Sequence, residues 1–476
     1  MSVRVSLAWT YVAQATSFLL TFSSTIVVAR IVSPRDFGIF AMAAAVTTVI
    51  NVLMQFGLAK YLMREAELTR ETLRSLFTVN VLMSLVYVVS ILIGAVAAQH
   101  LFGSREVGNF LFVFALFPLF AMMEFIPAAL CAREMRFGII AIMSVVRSAM
   151  IALVTIILAW LGFAYMSFAW AQVLSWVVTS ICFNIALWRP DVWRLRFTGI
   201  RSIVHFGTQM IGISGIAQIN TRLGEMTLGS LLGLGQLGLY SRAASLPATL
   251  YSNVFGAGSN VLFSRMSIEL RETGSFDRTY LRFMRLLLGL LWPMMIGLAV
   301  LAQPIIAILY GAKWQAAATP LSLLMIASAI SVAIGMTAEI FILSHRTREQ
   351  VRIETFRAIF GYAAFAAGAM VSLTIAAAAK VAEALFAFLL YRKPMRELVG
   401  GERGALRRAY GEGLLVTLVA VGPALLLMLW SGFSPATPIG LIAAAIGAGV
   451  AAWAFLLVWL QHPLFQEAAR AYRLAR

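Results

Sequence analysis

The feature that most constrains this chain is a succession of long apolar runs along its whole length, separated by short polar connections. In hydrocarbon every backbone N–H and C=O must be satisfied internally, so runs of about 20 residues persist there as helices. Apolar windows lie at 5–29, 37–59, 75–98, 108–131, 139–161, 164–187, 204–231, 237–263, 286–309, 317–344, 355–372, 374–391, 413–430 and 438–460. They predict an all-α polytopic membrane protein of about fourteen transmembrane helices. Composition agrees, since 61% of the 476 residues are hydrophobic and 12% charged, against about half and about a quarter in soluble domains. The polar remainder is too scattered to build a separate soluble catalytic domain. The run after Arg4 resembles a signal peptide, but it is too long and lacks a small-x-small site, so it reads as the first helix.

The formal charge of +17 would suit nucleic acid only if the basic residues shared one exposed face. They do not. With fourteen helices and the N-terminus inside, most Lys and Arg fall in eight separate cytoplasmic segments, as topology signals do. The outer segments hold Arg30, Arg35, Arg105 and Lys313. This pattern predicts cytoplasmic N- and C-termini and no nucleic-acid partner. The longest polar stretch, Arg392 to Glu412, separates the first twelve helices from the last two.

An internal repeat organises the twelve. The segment Ala29 to Ala43, containing Gly38-Ile-Phe40 and Ala43, is echoed at an offset of two hundred positions by Gly229 to Ala243, containing Gly238-Leu-Tyr240 and Ala243. Leu101-Phe102-Gly103 is echoed by Leu309-Tyr310-Gly311, and Leu130 with Arg133 and Arg136 by Leu343 with Arg346 and Arg348. Two like-oriented, pseudo-symmetric six-helix lobes follow, with a substrate path expected at their interface. The expected division is residues 1–203 and 204–392 for the lobes, 393–412 for a cytoplasmic linker, 413–460 for an additional helix pair and 461–476 for a cytoplasmic tail.

Ionisable residues inside spans are costly unless they face a protein interior, at roughly 2.5 to 3.5 kcal/mol each near a helix centre. Those here are Glu124, Arg147, Arg222, Glu225, Arg242, Glu339, Lys380 and Glu383. Glu124 and Arg147 lie at similar depth on adjacent helices, the geometry of an ion pair. Arg222 with Glu225 and Lys380 with Glu383 are three apart and can touch on one helix. Arg242 has no acid three or four residues away and reads as a free cation, whereas Glu339 lies close enough to a helix end to snorkel. In a central cavity Arg147, Arg222, Arg242 and Lys380 would bind an anionic head group, because guanidinium forks match phosphate oxygens. Glu124, Glu225 and Glu383 are the coupling or ion-pair candidates, through exchange of a proton or sodium ion.

Other chemistries lack their residues. Gly233, Gly235 and Gly238 match a nucleotide-binding spacing but stand between two membrane helices, where they read as a turn. His100, His205, His345 and His462 have no partner at metal-ligand spacing, and Cys131 and Cys182 sit in apolar runs. No cofactor, metal or catalytic constellation is expected.

Several segments resemble a known family: Ala29-Arg30-Ile-Val-Ser-Pro-Arg-Asp-Phe-Gly38-Ile-Phe, Glu225-Met-Thr-Leu-Gly229, Leu237-Gly238-Leu-Tyr240-Ser-Arg-Ala243 and Leu309-Tyr310-Gly311-Ala-Lys-Trp314. The chain resembles the bacterial polysaccharide transporter family of Wzx-type lipid-linked oligosaccharide flippases, in the superfamily that also holds multidrug exporters and lipid II flippases. The resemblance implies alternating access in the bacterial inner membrane. The substrate would be a polyprenyl-diphosphate-linked oligosaccharide for O-antigen, capsule or exopolysaccharide, with glycan polymerase and export machinery as partners. Many members carry aspartate where Glu225 stands. The competing readings are a cation-coupled multidrug exporter of the same superfamily and a non-transporting scaffold of a glycan-export complex. Sugar selectivity would fall to residues such as Gln218, Asn220, Tyr240, Asn253 and Trp314.

Overall fold

The computed structural model describes residues 3–51, 57–65, 68–101, 103–187, 193–399 and 404–467, with side chains left out at 3–8, 60, 64, 101, 206–221, 254 and 256–261. The described residues form eighteen α-helices, α1 to α18, and one 3₁₀ segment, Ala312–Ala317. Ten helical stretches are long and apolar enough to cross a membrane. The four other expected crossings fall on α2 (Pro34–Ile50), α9 (Ile200–Leu232), α10 (Leu234–Thr273) and α15 (Thr347–Ala369). The chain is a multi-pass membrane protein.

Internal contacts divide it into two compact units, Met1–Gly238 and Leu239–Arg476. In the first, α1 (Val3–Ile31) packs along α7 (Phe137–Trp160), which packs on α8 (Met166–Ala186), while α6 (Phe117–Arg133) lies against α8 and α4 (Arg70–Leu101). The helix α9 packs on α2, α3 (Leu58–Arg64) and α4, all within this unit. In the second, α11 (Asp277–Val300) packs on α13 (Ala318–Val332) and α17 (Ala405–Trp430). There α16 (Leu373–Leu398) lies between α13 and α15, and α17 pairs with α18 (Ile439–Trp459).

Local sequence explains where helices begin. Ser33 caps α2 through a reciprocal box: its Oγ accepts from the Asp36 N–H at 3.2 Å, and the Asp36 carboxylate accepts from the Ser33 N–H at 3.2 Å. Pro34 at the first helical position loses nothing, because its missing N–H would have had no helical partner.

Several expected spans need correction. The span expected at 108–131 is two helices, α5 (Arg105–Phe114) and α6, that at 286–309 is α11 and α12 (Ala302–Tyr310), parted at Leu301, and that at 317–344 is α13 and α14 (Thr337–Leu343), broken at 333–336. Apolarity is continuous through these breaks, so hydropathy could not mark them. The helices placed at 355–372 and 374–391 are α15 and α16, which reach back to Thr347 and on to Leu398 away from the turn, and Met370–Ser372 turns the chain between them. Ser372 caps α16 by accepting from the Ile375 N–H at 3.2 Å.

Candidate functional site

Buried charge gathers at separate places in the two units. In the first unit, Glu124 of α6 is buried, and an isolated carboxylate there would be strongly disfavoured. Arg147 of α7 supplies the countercharge: its Nη2 donates to both carboxylate oxygens, 2.5 Å from Oε2. The same nitrogen donates to Thr179 Oγ1 of α8 at 3.0 Å, and the Thr179 hydroxyl lies 2.8 Å from Glu124 Oε2 as a donor. The guanidinium also lies over the Trp176 ring, 3.6 Å from its centroid. Glu124 retains 8% side-chain exposure and Arg147 25%, so the cation is the reachable partner.

On α9, Arg222 Nη1 donates to Glu225 Oε2 at 2.8 Å, the one-turn pair expected from spacing. The Gln218 and Asn220 side chains lie outside the described residues.

In the second unit, Arg242 of α10 is not a free cation. It is buried and stands over the Tyr310 ring, 5.7 Å from its centroid. Its partner lies on α12 (Ala302–Tyr310), which same-helix spacing could not reveal. Tyr240 packs edge-on against Phe365, centroids 5.4 Å apart, and Trp314 is fully buried. Asn253 donates to the Thr249 carbonyl of its own helix at 3.0 Å.

A cavity of about 550 Å³ opens between α10, α13, α14, α15 and α16, and its charged lining is Glu339, Arg357, Lys380 and Glu383. Lys380 Nζ donates to Glu383 Oε2 at 2.9 Å, and Arg357 Nε stands 3.4 Å from Glu383 Oε1, so this carboxylate bridges two cations. Arg357 also reaches Glu354 at 3.2 Å, whose Oε1 accepts from the Tyr391 hydroxyl at 2.7 Å. Lys380 lies 5.1 Å from the Phe365 ring centroid. The bare face of Gly361 on α15 makes room for the Glu383 carboxylate, because a Cβ there would stand 2.7 Å from Oε2.

The structure thus pairs Glu124 with Arg147, Arg222 with Glu225 and Lys380 with Glu383. It adds Arg357, which lies at the start of the span expected at 355–372, and sets Glu339 on the cavity lining although its position suggests snorkelling. The available signal was Glu354 at i−3 to Arg357, a pair that belongs inside a helix. Chemically, two cations sharing one carboxylate can exchange that carboxylate for an anionic ligand and leave it free to take a proton or metal ion.

The family model described as polysaccharide biosynthesis protein matches residues 27–319. The succinoglycan biosynthesis transport protein ExoT of Rhizobium meliloti (strain 1021) is 26% identical over 69% of this chain and 67% of its own length. The lipopolysaccharide biosynthesis protein WzxC of Escherichia coli (strain K12) is 20% identical over 67% of this chain and 65% of its own. The chain therefore spans about two thirds of the length of these curated relatives. Among solved structures, the lipid II flippase MurJ in an inward closed conformation shares the fold, with a TM-score of 0.70 at 14% identity, covering 96% of this chain and 99% of that one. With most of its length matched by the family model and its helical fold shared with a flippase, the chain belongs to the polysaccharide biosynthesis protein family.

Proposed function

We propose that this chain is a flippase of the bacterial inner membrane that moves polyprenyl-diphosphate-linked oligosaccharide units between leaflets by alternating access, for export of a polysaccharide. It is a transporter in this reading and not an enzyme, with cytoplasmic termini and with glycan polymerase and export machinery as partners. The observation that carries the reading is the Lys380–Glu383–Arg357 bridge on a cavity within a bundle of membrane helices. Charge of this density inside a membrane protein marks a substrate or ion path.

Arg147, Arg222, Arg242 and Lys380 serve the diphosphate, joined by Arg357. Four of these five hold an acid, so binding is an exchange of partners rather than capture by waiting cations. A phosphate oxygen replaces Glu383 on Lys380 or Arg357, and the displaced carboxylate takes up a proton or sodium ion. Glu225 and Glu124 have the corresponding relation to Arg222 and Arg147. The names of ExoT and WzxC support the polysaccharide assignment.

The test is complementation of a strain lacking its own copy of this protein. The wild-type chain restores surface polysaccharide, and Arg147→Ala, Arg222→Ala, Arg242→Ala and Lys380→Ala each reduce it at equal protein level. Full export by all four variants supports a scaffold instead, and export of cationic dyes without any glycan phenotype supports the multidrug reading.

A further inference from the structure

The helix that lines the cavity with Glu339 is held in its broken shape from outside the cavity. At the end of α13 the hydrogen bonding tightens: the N–H groups of Ala333, Ile334 and Gly335 donate to the carbonyls of Ile330, Ser331 and Val332 at 3.0, 3.2 and 3.0 Å. Met336 then takes a left-handed conformation, φ 62°, before α14 begins. This shift from four-residue to three-residue spacing removes the helical donor from the Ala329 carbonyl and leaves the carbonyls of the turn to be satisfied by side chains.

Aromatic donors on α11 and α17 meet them. The Trp292 indole N–H donates to Ala329 O at 2.7 Å, the Tyr410 hydroxyl to Ala333 O at 2.8 Å, and the Tyr280 hydroxyl to Gly335 O at 3.5 Å. Trp292 and Tyr410 stack with centroids 6.4 Å apart, so the two shorter bonds come from one rigid aromatic pair. Ser331, Ile334, Gly335, Met336 and Glu339 line the cavity.

We infer that Tyr410 and Trp292 are positioning residues of the cavity, clamping the break between α13 and α14, and that α17, from the additional helix pair, thereby sets where Glu339 stands. Removing either donor leaves a carbonyl of the turn without its side-chain partner, which loosens the break. The consequence for transport rests on the flippase reading, whereas the clamp itself is a statement about the second unit alone.

The test reads the break directly. In a chain carrying Cys131→Ser and Cys182→Ser, a cysteine placed by Ile334→Cys, a buried position within the break on the cavity lining, is labelled with a maleimide in the purified full-length protein. Tyr410→Phe and Trp292→Phe each raise the labelling rate about fivefold, the equivalent of one hydrogen bond. Thr417→Val leaves it unchanged, because that hydroxyl bonds only within α17, to Gly413 O at 2.7 Å. Unchanged labelling in Tyr410→Phe and Trp292→Phe, or an equal rise in Thr417→Val, overturns the clamp. Polysaccharide export measured in the same Tyr410→Phe variant falls at equal protein level. A labelling change in a chain whose parent exports no glycan rejects the flippase reading and leaves the clamp standing.

Discussion

Gly38 and Gly238, equivalent positions of the internal repeat, lie back to back: a Cβ on Gly238 would stand 2.9 Å from the Gly38 nitrogen and would collide with the Pro34 carbonyl. The relation is reciprocal, since a Cβ on Gly38 would collide with the Leu234 carbonyl. In each direction the obstructing carbonyl belongs to the residue four before the opposing glycine. That reciprocity is the mark of a local two-fold contact, and it requires glycine because backbone meets backbone, as in membrane helix pairs built on small residues.

Gly38→Ala or Gly238→Ala is therefore expected to destabilise the protein by about 1 to 3 kcal/mol, the cost of overpacking. A lowered melting temperature in detergent checks this. Gly235→Ala serves as the control, since a side chain there meets open space and should leave melting unchanged.

The Glu124–Arg147 pair allows structure and function to be separated. Glu124→Ala strands a cation inside the first unit and should cost about 3 to 5 kcal/mol, seen as loss of folded protein. The double variant Glu124→Gln, Arg147→Met removes both charges and should recover most of the protein level. If Arg147 serves the substrate, export stays low in the double variant, measured as surface glycan per unit of protein.

Glu383 is expected to matter through its charge more than its shape. Glu383→Gln keeps the volume seated against Gly361 but weakens the bridge to Lys380 and Arg357. Export should fall roughly tenfold, the equivalent of about 1.4 kcal/mol, while melting shifts less than in Glu124→Ala, because Lys380 and Arg357 are each 35% exposed and stay hydrated without the acid. Gly361→Ala should reproduce the defect by pushing the carboxylate away from both cations.

His462, beyond the end of α18, provides a pH dependence. Burial, reinforced by the Arg285 charge, lowers its pKa to about 4 from the usual 6.5. Between those values the unfolded chain binds the proton and the folded chain does not, so stability is present at neutral pH and is lost as pH falls from 6.5 towards 4. The effect amounts to about 3 kcal/mol at most. Melting temperatures in detergent at pH 7 and pH 5 should differ for the wild-type chain, and the difference should shrink in His462→Gln.

Much of this was written along the chain. Runs of apolar residues dictate helices because hydrocarbon offers backbone groups no alternative, and Ser33-Pro34-Arg35-Asp36 announces the start of α2 through its own side chains. Arg222 with Glu225 and Lys380 with Glu383 were legible because three residues along a helix are neighbours whatever else the chain does. Glu124 with Arg147 was legible from depth alone.

Folding decided the rest. Arg357 reaches Glu383, Tyr310 reaches Arg242, and Tyr410 finds the Ala333 carbonyl across different helices. The break at 333–336 lies within an unbroken apolar stretch, so nothing in hydropathy distinguishes it from continuous helix. The repeat identified Gly38 and Gly238 as counterparts but not as a contact. Linear spacing records who shares a helix face, whereas the rotation and approach of one helix against another depend on how all the side chains pack at once.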